Sequence, residues 1–81
     1  MVTLRLFASI REIAGTNQID FEARTVGRII ELAVEQFGPD FAAALPTCRI
    51  WVNGSPAQEA DMVSDGDEVA ILPPVSGGAH G

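Results

Sequence analysis

The chain has 81 residues, 47% of them hydrophobic, so it accommodates one small folded domain without room for a deep enzyme cleft. Its net charge of −6, with five scattered arginines and no lysine, argues against nucleic-acid binding and favours partners with basic surfaces. One cysteine excludes an internal disulfide framework, and no apolar run approaches the length of a membrane span, so the sequence predicts a cytoplasmic protein without a membrane role.

The chain begins with two predicted strands. Apolar and polar residues alternate over 2–8 and again over 18–22, which is the two-residue period of half-buried strands. Residues 9–16 lie between them and include Gly15, a turn signal. We therefore expect the two strands to pair as a hairpin.

A helix is predicted next, over residues 26–37. Its apolar positions recur at spacings of three and four, Thr25 is a suitable N-cap, and Gly38 followed by Pro39 ends it. Residues 40–45 are expected to form one short helical turn or an irregular connection.

The second half of the chain predicts two or three further strands. Residues 48–52 alternate and lead into Asn53-Gly54, a dipeptide suited to a tight hairpin turn. A short strand is expected at 57–59, and a last strand at 68–72 follows a turn. This order of elements predicts an α+β domain with one main helix packed on one face of a sheet.

The other face of that sheet carries an apolar group. Alternation along the strands places four residues on the side away from the helix: Phe7, Trp51, Ala70 and Leu72. An aromatic-bearing patch on an open sheet face indicates a partner surface. The alternative is that residues 40–46 cover Trp51.

Candidate catalytic groups are few. His80 lies in a glycine-rich segment that offers nothing to hold it, and Cys48 is expected on the core side of its strand as a small hydrophobe. These two residues do not make a metal site, so none is predicted. The acidic turn at 65–68 lacks the ligand pattern of a calcium loop.

The chemistry-bearing feature is the tail that follows the last strand. Pro73 and Pro74 stiffen its exit, whereas Ser76, Gly77 and Gly78 lack bulk and can extend freely. A thin tip of this kind can enter a narrow channel in another protein and present its last carbonyl there. The alternative is an ordinary frayed terminus.

Three stretches resemble the MoaD/ThiS family of ubiquitin-like sulfur carriers: LFASIREIAGT, IWVNG and DGDEVAILPPVSGG. They occur in order and extend through Gly78, and the first is most similar to the MoaD branch, the small subunit of molybdopterin synthase. The resemblance implies a β-grasp fold over residues 1–75, with a mixed sheet of four to five strands and the last strand parallel to the first. Residues 76–81 would form a flexible tail.

The resemblance also implies a mechanism. An E1-like activating enzyme of the MoeB/ThiF type, using ATP and Mg²⁺, would adenylate the Gly78 carboxylate, and a sulfur donor would convert it to a thiocarboxylate. The carrier would bind no cofactor and would have no catalytic side chains of its own. Its tail would insert into a MoaE-like large subunit and donate sulfur to a pterin precursor. The partner contacts would be Phe7, Leu72, Pro73 and Pro74, which lie within the matching motifs. Trp51 joins them from the alternation along its strand alone, and Arg11 is either a contact at the polar rim or an ordinary solvated side chain.

Residues 79–81 depart from the family pattern, because Gly78 in peptide linkage has no free carboxylate to activate. We expect a protease, of the metal-dependent JAMM type, to trim the chain after Gly78; the alternative is a terminus that is never processed. Other functions stay open at this point: a carrier for cysteine, thiamine or specialised-metabolite synthesis, a ubiquitin-like protein modifier, or an interaction domain with an inert tail.

Overall fold

The computed structural model describes residues 1–74 and contains a five-stranded sheet with three α-helices. The elements in chain order are β1 (Val2–Leu6), α1 (Ala8–Ala14), β2 (Gln18–Phe21), α2 (Val26–Phe37), α3 (Pro39–Ala44), a 3₁₀ turn (Leu45–Thr47), β3 (Arg49–Val52), β4 (Ser55–Pro56) and β5 (Glu68–Leu72). The strand order is β2-β1-β5-β3-β4, with β5 parallel to β1 and antiparallel to β3. The predicted α+β class is confirmed, and β5 lies at the centre of the sheet.

The core lies between the sheet and the helices. Alternate residues of β1 and β5 face it in register, with Leu4 opposite Val69 and Leu6 opposite Ile71, and all four are at most 1% exposed. The helices contribute buried apolar residues to the same cluster: Ile10, Val26, Ile29, Ala33 and Phe41. Each large side chain buried in this way contributes about 1.5–3 kcal/mol. All three helices therefore pack on one face of the sheet.

Helix α2 begins and ends where the sequence predicts. The Thr25 hydroxyl accepts a hydrogen bond from the Arg28 backbone N–H at 3.1 Å, which satisfies a donor that the first helical turn leaves free. The Gly27 N–H donates to the Glu59 carbonyl at 2.9 Å, so the loop before β5 also holds the start of the helix. At the other end Gly38 adopts a φ of +93°, a conformation that favours glycine.

The predicted hairpin between the first two strands is wrong in its connection. The strands β1 and β2 do pair antiparallel, but residues 9–16 lie largely within helix α1 rather than in a turn. Strand β1 ends at Leu6, before the predicted residue 8, because Ala8 has a φ of +51° and turns the chain out of the sheet. The buried Ile10 then anchors α1 to the core.

In the second half, one prediction is confirmed and another is wrong. Of the two forms predicted for residues 40–45, the structure has the helical one, since α3 spans Pro39–Ala44 with Phe41 fully buried. Strand β4 is at Ser55–Pro56 rather than 57–59, since Asn53 and Gly54 have φ values of 50° and 85° and close a two-residue turn. The partner strand starts directly after such a turn.

Candidate functional site

A groove of about 480 Å³ lies on the sheet face opposite the helices. We call it the open-face groove; its lining residues are Phe7, Arg49, Trp51, Gly54, Glu68, Ala70, Leu72, Pro73 and Pro74. Apolar atoms dominate its surface, although it is exposed to solvent. Helix α3 packs against α1 and α2. Residues 40–46 therefore do not line the groove, and they do not cover Trp51.

The groove exists because a small residue lies between large ones. Ala70 on β5 is paired with Arg5 on β1 and with Trp51 on β3. Side chains of directly paired residues point to the same face of a sheet, so the two long side chains flank the methyl group of Ala70. Ala70 is therefore the floor of the groove, and Trp51, which is half-buried, forms one wall.

Phe7 lies at the opposite side, where the chain leaves β1. It occupies the N-cap position of α1 and is 37% exposed. The guanidinium carbon of Arg5 lies 5.8 Å from the centre of the Phe7 ring, and Arg5 Nη1 donates to Glu68 Oε2 at 3.2 Å. Exposed pairs of this kind add little stability, but they fix the positions of the side chains at this rim.

The turn beside the groove is fixed by Asn53. Its Nδ2 donates to Asp67 Oδ1 at 3.0 Å, and its Oδ1 accepts from the Glu68 backbone N–H at 2.9 Å. The Ser64 backbone N–H donates to the other Asp67 carboxylate oxygen. The hydrogen bonds from Asn53 and Ser64 lower the pKa of Asp67 below its ordinary value. This network ties the β3–β4 turn to the start of β5.

The chain leaves the sheet next to the groove. Strand β5 ends at Leu72, and Pro73 and Pro74 continue directly as part of the groove wall. A tail that follows Pro74 therefore starts beside the apolar surface. The predicted tail residues Ser76, Gly77 and Gly78 lie outside the described residues.

Five of the six predicted partner contacts lie together in the groove: Phe7, Trp51, Leu72, Pro73 and Pro74. Arg11 does not; it lies on α1 and lines a separate shallow depression with Glu12 and neighbouring residues. Sequence reasoning missed Arg49, Gly54 and Glu68 as lining residues. The signal for Arg49 was present, because a residue two positions before Trp51 on a strand shares its face.

Within residues 1–74, Cys48 is the candidate nucleophile that the sequence offered. Cys48 Sγ donates to the Ala44 carbonyl at 3.3 Å, and burial raises the pKa of its thiol, so the reactive thiolate is disfavoured. The same part of the chain holds no group of three or more potential metal ligands, and no helix in it has the length and hydropathy needed to cross a membrane. The open-face groove is an apolar surface with two charged side chains, Arg49 and Glu68, in its lining.

Comparison with known proteins assigns the chain to a family. The model of the ThiS family matches residues 4–78. The chain belongs to the ThiS family. It is 36% identical over 76 residues to the molybdopterin synthase sulfur carrier subunit of Chlamydomonas reinhardtii, a match that covers 89% of this chain and 92% of that protein.

Solved structures of similar proteins confirm the β-grasp fold that the resemblance implied. The small archaeal modifier protein 1 from Methanosarcina acetivorans is 26% identical, with a TM-score of 0.86 and 94% of each chain covered. A second match is one chain of the protein–protein complex of subunits 1 and 2 of the molybdopterin-converting factor from Helicobacter pylori. That chain is 25% identical, with a TM-score of 0.70 over 94% of this chain and 96% of that one. The chain thus belongs to a family of sulfur carriers and ubiquitin-like modifiers.

Proposed function

We propose that this protein is the sulfur carrier of a molybdopterin synthase, with the Gly78 carboxyl group as the carrying site. The observation that carries the proposal is the exit of the chain at Pro74, beside the open-face groove and four residues before Gly78. A partner that binds the groove would receive the tail in a fixed direction. The 36% identity to a molybdopterin synthase sulfur carrier subunit favours this pathway over other sulfur-transfer pathways.

The chemistry resides in the partners, since the groove supplies only binding. In the activating enzyme, a Gly78 carboxylate oxygen attacks the α-phosphorus of ATP, a C–O–P linkage forms and pyrophosphate leaves, with Mg²⁺ neutralising the phosphates. The terminal sulfur of a donor persulfide then attacks the acyl carbon and AMP leaves, which gives an acyl disulfide. A thiol attacks the donor-side sulfur of that disulfide, so the S–S bond breaks, a disulfide between thiol and donor forms, and the thiocarboxylate is released. Its sulfur is a competent nucleophile for a pterin precursor.

Removal of residues 79–81 comes first. As long as Gly78 is joined to Ala79, its carbonyl is an amide and no carboxylate oxygen is free to attack ATP. The family match ends at residue 78, which supports cleavage at that bond. A protease that hydrolyses the Gly78–Ala79 bond would produce the active carrier.

The partners in this proposal are an E1-like activating enzyme and a MoaE-like large subunit, which bind the open-face groove in turn. Both need Gly78 in their own active sites, so both must approach from the side on which the tail leaves. The two-subunit complex of the Helicobacter pylori relative supports docking of a large subunit.

Intact-mass measurement of the protein from its native host tests the proposal. We expect species that end at Gly78, and a fraction in which one carboxyl oxygen is replaced by sulfur. As a matched test, the chain ending at Gly78 should support ATP–pyrophosphate exchange by the activating enzyme, whereas the 81-residue chain should not. A cell that synthesises the cofactor but holds only the full-length, unmodified chain would contradict the proposal.

A second candidate is a ubiquitin-like protein modifier, favoured by the similarity to the small archaeal modifier protein 1. In that function an amine of a target protein attacks the activated Gly78 carbonyl instead of sulfur. Isopeptide-linked remnants of the tail on lysines of cellular proteins would support it. Their absence, together with an observed thiocarboxylate, would leave the carrier function alone.

A further inference from the structure

The open-face groove contains a cation with no counterion among the described residues. Arg49 is exposed, begins β3 and is paired across the sheet with Leu72, the last residue of β5. Its guanidinium therefore lies on the groove side of the sheet, next to the point where the tail leaves. None of the salt bridges within residues 1–74 involves it.

The carboxylate of the groove that could pair with Arg49 is already paired with another arginine. Glu68 faces the same groove, but its carboxylate accepts from Arg5 at 3.2 Å, and Glu68 lies four residues before Leu72 along β5. Arg11, Arg24 and Arg49 form no salt bridge within residues 1–74, and Arg49 is the one of these three that lines the open-face groove. The geometry leaves the planar donors of Arg49 available to an external acceptor.

We propose that Arg49 is the specificity-determining residue of the open-face groove, and that the activating enzyme contacts it with an aspartate or glutamate beside an apolar side chain that packs between Trp51 and Leu72. This rests on the proposed function, because it takes the activating enzyme as the occupant. A carboxylate can accept two parallel hydrogen bonds from a guanidinium, a geometry that lysine cannot reproduce.

The charge of the whole chain sharpens this selection. With a net charge of −6, the protein repels surfaces that are acidic overall and attracts basic ones. A suitable partner surface is therefore basic in general and carries an isolated carboxylate at the position of Arg49. A basic surface without that carboxylate would be attracted at long range, yet would meet an unpaired guanidinium on docking. Arg49 thus weakens the binding of partners that lack the carboxylate and strengthens the binding of the partner that has it.

The test measures binding of the full 81-residue chain to the purified activating enzyme of the same organism by calorimetry, at low and at high salt. We expect Arg49→Gln to raise Kd about tenfold at low salt, Arg49→Glu to raise it further, and Arg49→Lys to fall between wild type and Arg49→Gln. The matched control is Arg24→Gln, since Arg24 is exposed but lines a polar depression at the end of the domain where β1 and β5 begin. It should bind as wild type does.

Two readouts separate this role from a structural one. The difference between wild type and Arg49→Gln should shrink as salt rises, because an ion pair is screened and packing is not. An aspartate or glutamate of the enzyme changed to arginine should restore binding to Arg49→Glu and to no other variant. Equal binding of wild type and Arg49→Gln would overturn the inference while leaving the proposed function intact. A salt-independent loss, or no restoring change in the enzyme, would also overturn it. If neither the 81-residue chain nor the chain that ends at Gly78 binds the enzyme, the proposed function falls as well.

Discussion

Replacement of Asn53 by alanine should destabilise the domain through the turn that borders the groove. Asn53 has a φ of 50°, which asparagine tolerates and alanine adopts at a cost of about 1 kcal/mol. The change also removes the acceptor of the Glu68 N–H, a bond of 2.9 Å that contributes about 1 kcal/mol. We therefore expect a loss of about 2 kcal/mol in the free energy of unfolding, before any effect of the lost contact with Asp67.

Urea unfolding monitored by the fluorescence of Trp51, the single tryptophan, measures this loss. For a domain of this size the predicted change lowers Tm by about 8–16 °C. The variant Asn53→Gly separates the two contributions, because glycine keeps the positive φ without strain and loses only the side-chain hydrogen bonds. It should fall between wild type and Asn53→Ala.

Asn17→Ala is the matched control, because Asn17 is exposed and contributes its backbone carbonyl, which accepts from the Leu6 N–H and survives the change. We expect a loss below about 0.5 kcal/mol. If Asn53→Ala were no more destabilising than this control, the hydrogen-bond network would not hold the turn. The reasoning about the groove rim would then be refuted.

Three other variants test separate parts of the structure. Trp51→Ser should weaken binding of the activating enzyme by about tenfold or more, measured by calorimetry, because it removes an aromatic wall of the groove; unchanged affinity would exclude the groove as the docking surface. Ala8→Gly should leave Tm unchanged or raise it, and Ala8→Val should lower it in scanning calorimetry, because the φ of +51° strains residues with a β-carbon; the reverse order would contradict the strain. Asp67 has a lowered folded-state pKa, so its contribution to stability is present above the unfolded pKa near 3.8 and is lost as pH falls through the lower folded value. Asp67→Asn should therefore make unfolding free energy less dependent on pH in this acidic range, and an unchanged slope would assign the dependence to other groups.

The elements that sequence predicts well are those with strong local signals. Thr25 and Gly38 bracket α2, and Asn53-Gly54 marks its turn, because a cap and a positive φ each restrict the residue types at one position. The open-face position of Trp51 also follows from sequence, since alternation along a strand is set by backbone geometry alone.

The missed elements lack such signals. Helix α1 has seven residues, too few for the helical spacing of apolar residues to be recognised. Phe7 at its N-cap makes no side-chain hydrogen bond that would mark the start of the helix. Strand β4 is two residues long, so only the turn geometry locates it. The parallel pairing of β1 with β5 joins distant parts of the chain, and no local pattern contains it; the family resemblance supplied that expectation. Arg11 lies away from the groove because it belongs to helix α1. Since that helix was not predicted, the position of Arg11 was not predicted either.

The central position of β5 gives the domain mechanical resistance. Hydrogen bonds hold β5 to β1 on one side and to β3 on the other, and the chain runs from its last residue straight into Pro73. A pull on the tail along the strand axis would act on both rows of bonds in shear, so they would have to break together, whereas an edge strand would peel away bond by bond. A partner that grips the tail therefore pulls on both rows of bonds at once, and the same holds for an unfoldase that starts from this end.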